Sequence, residues 1–241
     1  MDNKFILEPA FVLHLKKFKE TSLIIDLFTR KKGKISVIAK GAQRPKSKLR
    51  VIKTPSSLFS ISCIGKGELK TLTHCEIKEY FTTANKSYNC LVYLNELLVK
   101  FLEKEDPHIE VFDQYLEVCK SLYKSNEEDL EINLRFFELT LLREAGYGLN
   151  FSEANTEKEI KNNYIYKFDP EVGFLMLGSQ DSNHQKGYFK GEEIIKLSRG
   201  DLKKIETRKV SKQIMRQALD FHLGNKNVKI REYLSHKGDL T

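Results

Sequence analysis

Ser22-Leu23-Ile24-Ile25-Asp26-Leu27-Phe28-Thr29, then Arg30-Lys31-Lys32-Gly33, then Lys34-Ile35-Ser36-Val37-Ile38-Ala39-Lys40: this run decides how the first third of the chain folds. The first block is apolar and β-branched, the second is a turn, and the third alternates polar with apolar. Side chains on a strand alternate between faces, so Ile35, Val37 and Ala39 share one side while Lys34, Ser36, Ile38 and Lys40 share the other. Gly33 supplies the positive φ that the turn requires. The run is a β-hairpin.

Working outward, Phe11 to Leu15 precedes it as a strand. Leu58 to Ile64 and Leu69 to Phe81 form a second pair around Gly65-Lys66-Gly67. Roughly five strands in about 75 residues, with no long helix between them, predict a small closed barrel, because closure removes the open edges of so short an antiparallel sheet. Barrels of the oligonucleotide-binding (OB) type are the natural candidate. The fold class is α+β, with a five-stranded barrel at residues 1–82 and a mainly helical domain with a small β-hairpin at 83–241.

Charge gives this barrel a task. Leu27 to Gly67 holds eleven lysines and arginines and no aspartate or glutamate. A folded surface with that balance suits phosphates. The candidate contacts are Arg30, Lys31, Lys32, Lys34, Lys40, Arg44, Lys46, Lys48, Arg50 and Lys66. Four of them lie in Gly41 to Arg50, which is too polar for a strand and is barred from helix around position 44 by Pro45. Ser47 offers either a hydroxyl to a phosphate or a turn hydrogen bond. Phe28, Phe59, Tyr80 and Phe81 either fill the core or stack on bases.

The balance then reverses. Residues 1–82 carry 17 basic and 7 acidic side chains, 83–154 carry 7 and 14, and 155–241 carry 17 and 12. Such asymmetry argues for separate units near a boundary at Thr82. From Lys86 to Tyr123 apolar residues recur three or four apart, and Asp106-Pro107 reads as a cap and first turn between two antiparallel helices. Asn126-Glu127-Glu128-Asp129 opens a third helix over Leu130 to Ala145, apolar almost all round and thus expected at the centre of a bundle. Tyr164–Phe168 and Gly173–Leu177 predict a small hairpin, residues 178–191 a loop, and Ser211 to Leu223 a last helix capped by Ser211. Asn227 to Leu234 adds a short turn. Arg135 is either an ion-pair partner of Glu138 or Glu131, or an anion reader beside an apolar groove.

Other chemistry is poorly represented. Cys63, Cys75, Cys90 and Cys119 form no C-x-x-C pair and read as buried free thiols. No apolar run approaches bilayer length, and the first residues lack the pattern of an export signal, which together point to the cytoplasm. Phosphate loops, nucleophile elbows and His-Glu-x-x-His pairs are missing, and the six histidines lie far apart. His74-Cys75 would point to opposite faces of a strand. No catalytic residue, metal ligand or cofactor is expected. Two alternatives stay open: a metal-dependent nuclease, which needs converging carboxylates where the basic stretch has none and the flanking Asp26 and Glu68 show no motif spacing, and an RNA-binding barrel.

Several segments resemble the bacterial RecO family of recombination mediators: Lys19 to Thr29, Gly33, Ala39-Lys40-Gly41-Ala42, Lys46-Ser47, Gly65 to Leu72, and Leu134-Arg135-Phe136-Phe137-Glu138-Leu139 followed by Gly146-Tyr147-Gly148. The resemblance implies an OB barrel on a helical domain and a non-catalytic activity in the bacterial cytoplasm, at the nucleoid during repair. Such proteins bind single- and double-stranded DNA, anneal complementary strands, and with RecR help load RecA onto DNA coated by the single-stranded-DNA-binding protein SSB. The acidic, phenylalanine-ended tail of SSB is a further implied partner, for which Arg135, Phe136, Leu139, Lys212 and Arg216 are the candidates. Many members carry a four-cysteine zinc module in the C-terminal domain. This chain has no cysteine after Cys119, so Tyr164 to Leu177 must hold together by packing.

Overall fold

The computed structural model describes residues 4–81, 85–124, 127–151, 159–179, 187–224 and 228–231. The composition change at Thr82, the opening residue of the third helix at Asn126, half of the loop at 178–191 and half of the final turn at 227–234 lie outside them. The chain packs as two compact units, residues 1–125 with 228–241, and residues 126–227.

The first unit is built on β1 (Lys4–Phe18), β2 (Ser22–Thr29), β3 (Gly33–Ala39), β4 (Ser57–Ile64) and β5 (Leu69–Tyr80). The strands follow the order β1-β2-β3-β5-β4, and β4 pairs back onto β1, so the sheet closes on itself. All ladders are antiparallel except β3 with β5. β1 makes the closure possible. It begins seven residues earlier than its apolar run suggests, pairs with β4 through Lys4 to Ala10, and pairs with β2 through Ala10 to Phe18. Irregularities between Phe5 and Glu8 and between Val12 and His14 bend it from one neighbour to the other. Leu7 takes φ 54° there, and the Glu8 carboxylate accepts the Lys31 backbone N–H at the β2–β3 turn.

The alternation on β3 is as the sequence predicts, with Ile35, Val37 and Ala39 buried and the intervening residues half-exposed. They join Leu23, Ile25, Leu27, Phe59, Ile61 and Cys63 in the core. A short 3₁₀ helix (Lys48–Lys53) lies in the connection between β3 and β4 and inserts Ile52, fully buried, into that core. On the outer side Phe11 and Phe28 pack against Phe112 and Tyr115, with ring centroids 4.6–6.4 Å apart. These rings belong to α2 (Ile109–Lys124), which follows α1 (Asn85–Phe101). The helix starts after His108 rather than at Asp106-Pro107, and the Asp106 backbone lies against Gly33 instead. Residues 228–231 return to α1, where Glu96 accepts the Lys229 and Ile230 N–H groups at 2.9 and 3.2 Å.

The second unit contains α3 (Glu127–Glu144), a sheet ordered β7-β6-β8 from β6 (Tyr164–Asp169), β7 (Gly173–Ser179) and β8 (Tyr188–Lys190), then α4 (Gly191–Ser198) and α5 (Ile205–Leu223). The β6–β7 hairpin is the one expected, held by Phe168 and Phe174 with centroids 5.2 Å apart. Three expectations are corrected. Within residues 178–191, read as a loop, Tyr188–Lys190 is a strand paired with β6. The third helix is not apolar all round, since Ile132, Leu134, Phe136 and Leu139 are only half-buried while Arg135 and Glu138 are inside. The last helix begins six residues before Ser211, which is buried in its interior, and its first turn carries Arg208 inward. That guanidinium bonds Glu128, Glu131 and the carbonyls of Leu202 and Lys203 at 2.8–3.0 Å, so a charged residue replaces the apolar one that periodicity looks for.

Candidate nucleic-acid interface

The cations of Leu27 to Gly67 do not form one face. Register puts Leu23 opposite Ala39 at one end of the β2–β3 hairpin and Thr29 opposite Gly33 at the other. Six strand residues separate the ends, roughly 20 Å. Arg30, Lys31, Lys32 and Lys34 therefore belong to one end, and Lys40 with the following connection belongs to the other. Leu69 pairs with Ser36, which places the β4–β5 turn and its Lys66 at the Gly33 end.

At the Gly33 end much of the charge is already engaged. Arg30 makes a two-pronged pair with Asp113 at 2.8 and 2.9 Å. That pairing raises the guanidinium's proton affinity and holds the Asp113 carboxyl below its ordinary range. Lys34 donates to the Val99 carbonyl at 2.7 Å, and burial lowers its pKa. The connection between α1 and α2 lies across this turn: Glu105 N–H donates to the Lys34 carbonyl at 2.9 Å, its carboxylate pairs with Lys70, and Lys104 faces Glu68 at 3.6 Å. Lys31, Lys32 and Lys66 remain exposed, with no ion pair among the described residues.

The other end differs. Gln43 ties the connection to the β1–β2 turn, its backbone N–H donating to Thr21 at 2.9 Å and its side chain to the carbonyls of Glu20 and Ser22. Lys40, Arg44, Lys46, Lys48, Arg50 and Lys53 are exposed, and none has a carboxylate partner among the described residues. The same anchoring brings in Lys16, Lys17 and Lys19 of β1 and its turn, all exposed. Sequence reasoning missed these three because Glu20 and Asp26 separate them from the carboxylate-free stretch. Glu20 is the one carboxylate in residues 14–22 and 40–56, against nine lysines and arginines. A shallow cleft at the 3₁₀ helix is lined by Arg50, Val51, Lys53, Thr54 and Pro55. Ser47 begins that helix without a side-chain hydrogen bond to it.

Of the aromatic candidates, Phe28, Phe59 and Phe81 are buried, which leaves Tyr80, 53% exposed, as the one open to solvent. Cys63 and Cys75 are free thiols in the core, pushed up to about 12 by burial. Among the described residues no group of three or more His, Cys, Asp or Glu side chains is placed to hold a metal ion. No helix there is long and apolar enough to cross a membrane.

In the second unit, Arg135 is buried and pairs with Glu138 at 3.0 Å, the ion-pair alternative of the two that the sequence leaves open. Phe136 lies over Gly200, where an added Cβ would come within 3.3 Å of its ring. Lys212 and Arg216 stand on the exposed side of α5, with Arg216 3.8 Å from Asp220.

The first unit is thus a closed five-stranded sheet with, at one end, a concentration of exposed cations that have no carboxylate partner among the described residues. Two family descriptions divide the chain between them: Recombination protein O N terminal matches residues 1–81, and Recombination protein O C terminal matches residues 85–232. The chain belongs to the RecO family, whose members serve DNA repair and recombination. It is 39% identical over 233 residues to DNA repair protein RecO of Polynucleobacter asymbioticus, covering 94% of each chain. The corresponding protein of Burkholderia pseudomallei is 37% identical over 228 residues, 94% of this chain and 82% of that one. That of Aromatoleum aromaticum is 32% identical over 97% of this chain and 96% of its own.

Proposed function

We propose that this protein is a non-catalytic recombination mediator that binds single- and double-stranded DNA through the Lys16–Lys53 end of its closed sheet. The observation that carries this is nine exposed cations against a single glutamate in the segments that build that end. The strand order β1-β2-β3-β5-β4, closing on β1, supports reading the sheet as an OB-type barrel. The binding module is residues 1–82 and the helical domain 83–241, in line with family descriptions that meet between residues 81 and 85.

Annealing needs no bond chemistry. Two polyanions repel each other, and a cationic end lowers that repulsion through backbone contacts while leaving base edges free to pair. With RecR as partner, such a protein would help load RecA onto DNA coated by SSB in the bacterial cytoplasm. An SSB tail would find Lys212 and Arg216 as exposed cations and Phe136 and Leu139 as half-buried apolar contacts, with Arg135 behind them. A peptide titration in which Arg135→Ala and Lys212→Ala both leave affinity unchanged would remove that site.

Strand annealing tests the main reading. Labelled complementary oligonucleotides, bare or SSB-coated, should pair faster with the protein present. Magnesium should leave their length unchanged, and cleavage would instead favour a nuclease. Equal or stronger competition by RNA would redirect the reading to an RNA-binding barrel.

A further inference from the structure

We infer that the connection between α1 and α2 is a built-in competitor for nucleic acid. Its carboxylates offset the positive charge at the Gly33 end of the hairpin, Glu105 by taking Lys70, and confine the phosphate track to the Lys40 end. This rests on the DNA-binding reading and says which of the exposed lysines take part.

Charge is distributed to that effect. Glu103, Glu105 and Asp106 place three carboxylates within four residues of the connection, Asp106 with its backbone against Gly33 and its carboxylate 3.2 Å from His108. Glu105 pairs with Lys70 while its own N–H bonds the Lys34 carbonyl, so the segment is held by backbone as well as charge. The approach of the Asp106 backbone to Gly33 leaves no room for even a Cβ between them. Asp113 takes Arg30, and Glu68 faces Lys104. Seven cations at this end thus meet six carboxylates, Glu8 included, whereas the segments 14–22 and 40–56 that build the other end set nine against one.

Distance keeps the two effects apart. The ends are roughly 20 Å from each other, twice the screening length of about 10 Å at 0.1 M salt. The connection therefore neutralises its own end without weakening the other. A strand laid along β2 and β3 would be gripped at Lys40 and released toward Lys32, which gives the bound backbone a defined limit.

Lysine acylation, read by mass spectrometry on the full chain with and without a thymidine oligonucleotide, tests this. In the wild type, DNA should protect Lys40, Lys46 and Lys48, while Lys31, Lys32 and Lys66 react equally with and without it. In Glu103→Gln/Glu105→Gln/Asp106→Asn, which keeps side-chain size and the backbone bonds, Lys31, Lys32 and Lys66 should become protected. The slope of log affinity against log salt should steepen by about 2, three cations at roughly 0.7 each on single strands. A control with as many charges removed elsewhere in the unit, Glu76→Gln/Glu79→Gln/Glu117→Gln, should leave the protection pattern as it is. Protection of both ends in the wild type, or an unchanged pattern in a folded triple variant, overturns the inference alone. A wild-type chain without affinity for the oligonucleotide overturns the DNA-binding reading and this inference with it.

Discussion

Gly33→Ala probes the joint between the hairpin and the helices. Gly33 has φ +64°, a region that costs an ordinary residue about 1–2 kcal/mol. An added Cβ would stand 2.1 Å from the Asp106 carbonyl oxygen and 2.8 Å from its nitrogen. Those neighbours are backbone, so the connection must move, at about 1–3 kcal/mol. Moving it also loosens the Glu105–Lys34 hydrogen bond. The total is roughly 2–5 kcal/mol. The chain has no tryptophan, so urea unfolding is best followed by tyrosine fluorescence, to which the buried Tyr115 of this unit contributes. With a denaturant slope of about 2 kcal/mol/M, the midpoint should fall by about 1–2.5 M. Gly33→Asn separates the two causes, because asparagine tolerates the backbone angle but still carries the Cβ. Full stability in the asparagine variant would refute the close approach, and a shift under about 0.3 M in the alanine variant would refute both causes.

Three further outcomes are expected. Arg208→Ala strands two glutamates and two backbone carbonyls in the second unit and should cost about 3 kcal/mol, with Arg208→Lys recovering only part; chemical denaturation of both variants checks this. Asp113 is held below the ordinary carboxyl range by Arg30, so the pair stabilises the fold above the unfolded pKa of about 3.9 and loses that contribution as pH falls through the lower folded value. Both partners are a third or more exposed, which limits the gap between wild type and Asp113→Asn to about 1 kcal/mol at neutral pH, and thermal melts should show it closing below pH of about 4. Cys63 and Cys75, at about 12, should resist iodoacetamide at pH 8 until urea is added, and alkylation of the native chain at the rate of a free thiol would contradict their burial.

Local pattern made much of the fold legible. Period-two alternation placed β3, Gly33 marked its turn, and the Gly65–Gly67 break marked the next. What local pattern does not carry is contact between distant segments. Gly33 was readable as a turn residue, but its need to admit the Asp106 backbone, 73 positions away, was not. For the same reason Arg30 and Lys34 looked like free cations until Asp113 and the Val99 carbonyl met them. Lys16, Lys17 and Lys19 were passed over because linear charge counting stops at Glu20, whereas the fold folds Gln43 onto that turn. Ser211 was mistaken for a cap because a serine before an apolar run is the usual signal. The true start of α5 has a lysine at its cap and hides its register behind the inward Arg208.

The central claim is that the Lys40–Arg50 connection grips phosphates. Its most direct test is the salt dependence of single-stranded DNA binding by Arg44→Ala/Lys46→Ala/Lys48→Ala/Arg50→Ala. All four side chains are exposed, and no ion pair holds them among the described residues, so the fold should survive. The slope should flatten by about 3, four phosphates at roughly 0.7 each. A folded variant that keeps the wild-type slope would mean that DNA is held elsewhere.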